Sequence, residues 1–267
     1  MKSVKENMIN NNAQNFSGKV AFITGAGSGI GRATAVAFAR EGANVAIGYV
    51  TKEHAEGTSR LVEQAGAKAI IIKCDVSKDE EVKSAVEKIV QAFGRLDFAF
   101  NNAGVMQHRV DTAEITTEEW DRVVGVNLRG VFSCMRYEIP QMLKQGGGAI
   151  VNNSSIGGVV GNPGLSAYHA AKHGVIGLTR TAAIEYCTKG ININAVCPGT
   201  INTPLAQLLA GSKTLDPKAL DPLLGETPIK RAGTPEEVAS AVIWLCSSGA
   251  GFVVGHAMLV DGGYTIH

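Results

Sequence analysis

From Lys19 onward, short apolar runs alternate with amphipathic stretches of helical period. KVAFIT (19–24) predicts a strand ending in a glycine-rich turn, and GRATAVAFAREG continues as an Ala-rich helix closed by Gly42. NVAIGYV (44–50) predicts a second strand, followed by a helix to about Ala65 and a third strand, AKAIIIKCDV (67–76). Over 79–93, Val82, Val86, Ile89 and Val90 recur on one helical face. LDFAFNNAG (96–104) reads as a fourth strand running into a turn. A long helical region covers roughly 117–144, GGGAIVNNSS (146–155) a fifth strand, 166–188 a helix and GININAVCPG (190–199) a sixth strand. Residues 200–227 are polar and Pro-containing and predict irregular structure. Thr234-Pro235 starts a helix to about 247, and HAMLVDGG (256–263) makes a last strand and turn. Strands alternating with long helices predict an α/β fold with a parallel sheet. Its near-continuous apolar strands are buried on both faces.

Composition sets bounds without changing that picture. The 267 residues suffice for one large α/β domain, and 45% hydrophobic with 18% charged residues suits a well-buried globular core. Residues 1–15 are polar and Asn-rich and read as a flexible leader, leaving 16–267 as a single domain. A formal charge of +1, with Lys and Arg dispersed, argues against a nucleic-acid or membrane partner. No apolar run reaches the roughly 18 residues of a membrane span, and no apolar segment marks a secretory signal. Cys74, Cys134, Cys187, Cys197 and Cys246 form no CxxC or CxxH pair, so no metal site is expected. Scattered in apolar surroundings, they read as reduced, buried thiols of a cytoplasmic protein.

Candidate chemistry begins at Thr24-Gly25-Ala26-Gly27-Ser28-Gly29-Ile30-Gly31. Glycines there remove Cβ atoms, so backbone N–H groups and the following helix N-terminus can approach a pyrophosphate. A tight turn with no ligand is the alternative. Tyr168 and Lys172 stand four apart in SAYHAAKHGVIGL, on one face of a helix. A free tyrosine has a pKa of about 10. A neighbouring Lys⁺ would favour the phenolate; a drop of roughly 2–3 pKa units needs roughly 3–4 kcal/mol. A surface Tyr/Lys pair is the bland alternative. Ser155 ends the fifth strand, where open α/β sheets bind ligands, and Ser154 is the neighbouring candidate. Side-chain alternation lets only one of the two point at the site.

The TGxxxGxG spacing resembles the short-chain dehydrogenase/reductase family. Asn101-Asn102-Ala103-Gly104, Asn127, Ser155, Tyr168, Lys172, Pro198-Gly199 and Asp261-Gly262-Gly263 follow in order, over about residues 17–263. The resemblance implies a Rossmann-like, doubly wound, seven-stranded sheet in a three-layer sandwich. It also implies an NAD(P)-dependent oxidoreductase interconverting a carbonyl and a secondary alcohol. Gly25, Ser28, Gly29, Ile30 and Gly31 would hold the pyrophosphate. Asp75 would meet the adenine with Val76 packing beside it, although a helix N-terminal acid is the other role for Asp75. Asn102, Ala103 and Gly104 would lie beside the adenosine ribose; Asn101 either ties strands together or makes direct contact. Pro198, Gly199, Ile201, and Thr200 or Thr203 would face the nicotinamide end, with Tyr168 and Lys172 also on the cofactor.

Ser155 would position the substrate oxygen, Tyr168 would act as acid/base, and Asn127 would hold a water that links Lys172 to solvent. A kink or core-satisfying role is the alternative for Asn127. Tyr49 stands where many NAD users carry an acid, and Ser28 and Val50 stand where NADP users carry a base, so NAD(H) and NADP(H) both remain open. His169 and His173 are expected to point away from the pair, while Met106, Gln107 and His108 are candidates for the substrate cleft. Specificity is expected in 105–110, in the small apolar stretch 156–165 and in 200–227. A small-molecule carbonyl or alcohol is the expected partner, and a homotetramer or homodimer the expected assembly, packed through 117–144 and 166–188. A 3-oxoacyl-carrier-protein reductase, a sugar or steroid dehydrogenase and a dinucleotide-binding redox sensor are the competing functions.

Overall fold

The structure is a computed structural model describing residues 16–212, 216–225 and 227–266; the expected leader at 1–15 lies outside the described residues. Its strands are β1 (Val20–Ile23), β2 (Asn44–Tyr49), β3 (Ala69–Lys73), β4 (Phe98–Asn101), β5 (Gly148–Asn153), β6 (Ile191–Pro198) and β7 (Ala257–Val260). All pair in parallel, in the order β3-β2-β1-β4-β5-β6-β7. The helices are α1 (Gly29–Arg40), α2 (Lys52–Gln64), α3 (Asp79–Phe93), α4 (Thr117–Val124), α5 (Gly130–Lys144), α6 (Ser166–Tyr186), α7 (Pro204–Leu209), α8 (Asp221–Leu224) and α9 (Pro235–Cys246).

Alternation along β1 explains the two cores. Ala21 and Ile23 pack with Phe38 of α1, Val62 of α2 and Val242 of α9 on one face. Val20 and Phe22 pack with Val86 of α3, Met135 of α5 and Ala183 of α6 on the other. A parallel sheet covered in this way is the three-layer, doubly wound arrangement. Chain order reverses between β1 and β4, and such a switch point opens a crevice at the strands' carboxyl ends.

Two elements differ from the sequence pattern. The helical region 117–144 contains a π-helical turn, Gly125–Arg129, with buried Asn127 at its centre. The segment 200–227, expected to be irregular, holds α7, a 3₁₀ turn (Pro217–Leu220) and α8, each with proline at its first or second position. Proline's fixed φ is ready-made for a helix start, and the Thr203 hydroxyl caps α7 by accepting from Ala206 N at 3.3 Å. Among the described residues, no helix is long and apolar enough to cross a membrane, and no grouping of His, Cys, Asp and Glu could hold a metal.

Candidate active site

A cleft of about 800 Å³ opens at the switch point. One wall is the turn between β1 and α1. Gly25 and Gly29 have φ of +62° and +52°, a region that favours glycine. The turn is braced from behind: the Arg32 guanidinium donates to the Gly27 carbonyl and to Thr58 Oγ1, and Thr58 donates to the Ala26 carbonyl at 2.9 Å. Thr24 Oγ1 accepts from both Asn102 N and Ala103 N at 3.0 Å, fixing the loop after β4 against the turn. Asn102 Nδ2 donates to the Thr24 carbonyl, and its Oδ1 accepts from Asn153 Nδ2 at 3.0 Å.

The opposite wall carries the titratable groups. Tyr168 and Lys172 lie on one face of α6, with Nζ 5.6 Å from the phenol ring centroid. Lys172 is buried, and its Nζ donates to the Asn153 carbonyl at 2.7 Å. Burial pulls its pKa down to about 8, while the Cys197 thiol behind it acts the other way. Ser155 caps a 3₁₀ turn, its Oγ accepting from Gly157 N at 3.1 Å, and it lines the cleft together with Tyr168. Ser154 instead donates to the Lys172 carbonyl at 2.9 Å, so it braces α6 from the sheet side. Burial holds the Tyr168 phenol above its ordinary range, and the Ser155 hydrogen bond pulls it back. Within the protein alone, burial is the larger of these two influences.

The expected residues converge. Gly25, Ser28, Gly29, Ile30, Tyr49, Asp75, Val76, Asn102, Ala103, Gly104, Asn127, Ser155, Tyr168, Lys172, Pro198, Gly199, Ile201 and Thr203 all line this cleft. Gly31 lies behind it, packed so closely that a Cβ would stand 2.6 Å from the Gly25 carbonyl oxygen. Asn101 is buried and structural, with Nδ2 donating to Asn152 Oδ1 and Glu138 Oε2, both at 3.0 Å. Asp75 accepts from Ser77 N and Oγ, closing the turn ahead of α3. Asn127 accepts from Val105 N and donates to the Val105 carbonyl, pinning the loop beside Gly104.

Some positions differ from expectation. His169 was expected to point away, yet the loop around 160–165 folds back over α6 and makes it part of the cleft wall; its Nδ1 lies 2.9 Å from the Val160 carbonyl. His108 lies outside the cleft lining and its N–H donates to Glu119. Met106 reaches the cleft, whereas Gln107 is buried beneath it. Sequence reasoning passed over Asn153, which with Asn152 ends an apolar strand in two polar residues, the available signal. It also passed over Thr51 and His54 beside the glycine turn, which carry no such signal.

The glycine cradle fits a dinucleotide, because a Cβ at Gly25 would stand 2.9 Å from Ala103 Cα and crowd the space between the two loops. Comparison with known proteins agrees. A family model described as Enoyl-(Acyl carrier protein) reductase matches residues 25–265. Cyclohexanol dehydrogenase of Acinetobacter sp. (strain SE19) is 46% identical over 265 residues, 99% of each chain. The 3-oxoacyl-[acyl-carrier-protein] reductase FabG of Thermotoga maritima is 41% identical over 249 residues, 93% of this chain and 98% of that one. The crystal structure of levodione reductase superposes with a TM-score of 0.89 at 41% identity, covering 93% of this chain and 98% of that one. Motifs, sheet order and relatives together place the chain in the short-chain dehydrogenase/reductase family, as an NAD(P)-dependent oxidoreductase of carbonyl/alcohol pairs.

Proposed function

We propose that Tyr168 is the proton donor and acceptor of this oxidoreductase, that Ser155 orients the substrate oxygen and that Lys172 tunes the phenol. The observation that carries this reading is the placement of all three side chains on one wall of a single cleft, facing the glycine-rich turn. Gly25, Ser28, Gly29, Ile30 and the first turn of α1, with Gly31 behind them, would hold the dinucleotide phosphates. Tyr49, Asp75, Val76, Asn102, Ala103 and Gly104 would take the adenosine half, and Pro198, Gly199, Ile201 and Thr203 the nicotinamide half. When bound, NAD(H) or NADP(H) supplies or accepts the hydride.

The residues then divide the remaining work. The Ser155 hydroxyl donates to the carbonyl oxygen as charge grows on it. The Tyr168 phenol gives its proton to that oxygen, or takes it back in the reverse direction. A positive Lys172 beside the ring opposes the effect of burial and favours the phenolate. Asn127 is proposed to hold a water between Lys172 and solvent. Its side chain already fixes the backbone at Val105 beside Gly104.

The substrate end is lined by Met106, Ile156, Leu165, Leu205, Leu209 and Leu223, which suits a hydrophobic ketone or secondary alcohol. Together with the relatives named for cyclohexanol and levodione, this favours a cyclic ketone. A carrier-bound 3-oxoacyl thioester is the second reading, favoured by the FabG relative. Exposed Phe132 on α5 and Ile184 on α6 support a homotetramer or homodimer that would cover them. Five free cysteines, four of them buried and Cys187, contrary to expectation, exposed just past the end of α6, support a cytoplasmic setting.

The test is oxidation of NADH and of NADPH against cyclohexanone, cyclic diones, ketoesters, sugars and 3-oxoacyl thioesters. Cyclic ketones are expected to give the highest kcat/KM, with one dinucleotide preferred. Turnover of the thioesters alone would establish the second reading. Tight dinucleotide binding with no turnover on any member would identify a sensor.

A further inference from the structure

The amino end of α6 lacks something that its own sequence cannot supply. Leu165 occupies the N-cap and has no acceptor, so the N–H groups of Ala167 and Tyr168 have no local partner. The side chain of Gln107 supplies one from a distant loop. Its Oε1 accepts from Ala167 N at 2.9 Å and from Tyr168 N at 3.2 Å, and its Nε2 donates to the Gly164 carbonyl at 3.1 Å. Gln107 is 1% exposed, so these bonds are made out of water. Around it the two loops are closed further: Val110 N donates to the Gly164 carbonyl at 3.2 Å, and the Arg109 guanidinium donates to the Pro163 carbonyl at 3.3 Å.

We infer that Gln107 is a positioning residue for Tyr168, which fixes the first turn of α6 and joins the loops 105–110 and 160–165 into one wall of the substrate cleft. The inference rests on Tyr168 being the acid/base group. Its backbone N–H is one of the two that Gln107 holds, so a shift of Gln107 moves the phenol relative to Ser155. A displacement of about 1 Å at a reacting group can lower the rate roughly a hundredfold. A plain helix cap would affect melting and leave the turnover of the folded enzyme unchanged.

The test uses Gln107→Met, Gln107→Glu and Tyr168→Phe in the full chain. It measures kcat and KM across pH well below the melting point, dinucleotide affinity by fluorescence, and hydrogen exchange of the peptide spanning 160–170. Gln107→Met removes the acceptor at similar volume. It is expected to lower kcat roughly ten- to a hundredfold, to leave dinucleotide affinity within about twofold, and to speed exchange at 165–168. Gln107→Glu separates positioning from bulk structure. Protonated, its carboxyl reproduces both functions of the amide; ionised, it loses the donor to Gly164 and places a negative charge beside Tyr168. Its kcat is therefore expected to match the wild type in acid and to fall along a new limb as pH rises.

Wild-type kcat in Gln107→Met, or a Gln107→Glu profile that superimposes on the wild type, would overturn the inference. If Gln107→Met does not fold, the Gln107→Glu profile decides alone. Full activity in Tyr168→Phe would instead remove the underlying assignment. An inactive Tyr168→Phe beside a fully active Gln107→Met would remove only the role of Gln107.

Discussion

Gly31 stands where its neighbours leave no room for a side chain: a Cβ would lie 2.6 Å from both the Gly25 carbonyl oxygen and Asn102 Nδ2. Gly31→Ala must therefore open the turn or displace Asn102. Overpacking of this kind costs about 1–3 kcal/mol, so the variant is expected to melt earlier and to bind the dinucleotide at least roughly tenfold more weakly. A second residue-scale consequence concerns Glu138, fully buried on α5, with Asn101 Nδ2 donating to one carboxyl oxygen. Burial raises its pKa from 4.5 to about 8, the Asn101 hydrogen bond acting weakly the other way. Between those values the unfolded chain releases this proton and the folded chain keeps it. Stability from this residue is thus full below about pH 4.5 and declines until about pH 8. The thiols of Cys74 and Cys134, with which it interacts, are also pushed up by burial and stay neutral across that window. Glu138→Gln is expected to flatten the decline and to be the more stable protein at pH 8 in urea melts. Parallel curves for the two proteins would refute this.

At the scale of elements, periodicity located every strand and the long helices to within a few residues, because most strands are largely apolar and each long helix is apolar on one face. The π-helical turn at Gly125–Arg129 was legible only as an asparagine in a helix; its form depends on Asn127 reaching across to Val105, which no local pattern encodes. The same holds for the N-terminus of α6, where Leu165 looks like a poor cap until Gln107 is placed beside it. By contrast, the start of α9 was fully local. Thr234 and Glu237 form a capping box in which Glu237 N donates to Thr234 Oγ1 at 3.3 Å and Thr234 N to Glu237 Oε2 at 2.8 Å. Thr234→Ala is expected to cost about 1 kcal/mol in urea unfolding. It should leave kcat unchanged, because α9 lies on the sheet face with α1 and away from Tyr168.

For the whole molecule, the cleft is assembled from segments far apart in sequence: the turn after β1, the loops after β4 and β5, α6, and the segment after β6. The residue types at each were visible as motifs, and strand/helix alternation implied a parallel sheet. Which strands neighbour one another, and hence where the switch point falls, follows from crossovers that a single sequence does not display. The burial of Tyr168 is hidden from the sequence for a related reason. Proximity to Lys172 is evident from spacing, but the burial of the phenol depends on its packing with residues distant in sequence, Val123, Val105 and Ile115 among them. Placing a buried phenol, Ser155 and Lys172 on one wall makes a single substitution decisive. The most direct measurement is steady-state reduction of cyclohexanone by Tyr168→Phe beside the wild type, with dinucleotide dissociation constants for both. The expected result is a kcat lower by about 10²–10⁴-fold with dinucleotide affinity within a few-fold of wild type. Retention of wild-type kcat by Tyr168→Phe would contradict the assignment of Tyr168 as the acid/base group.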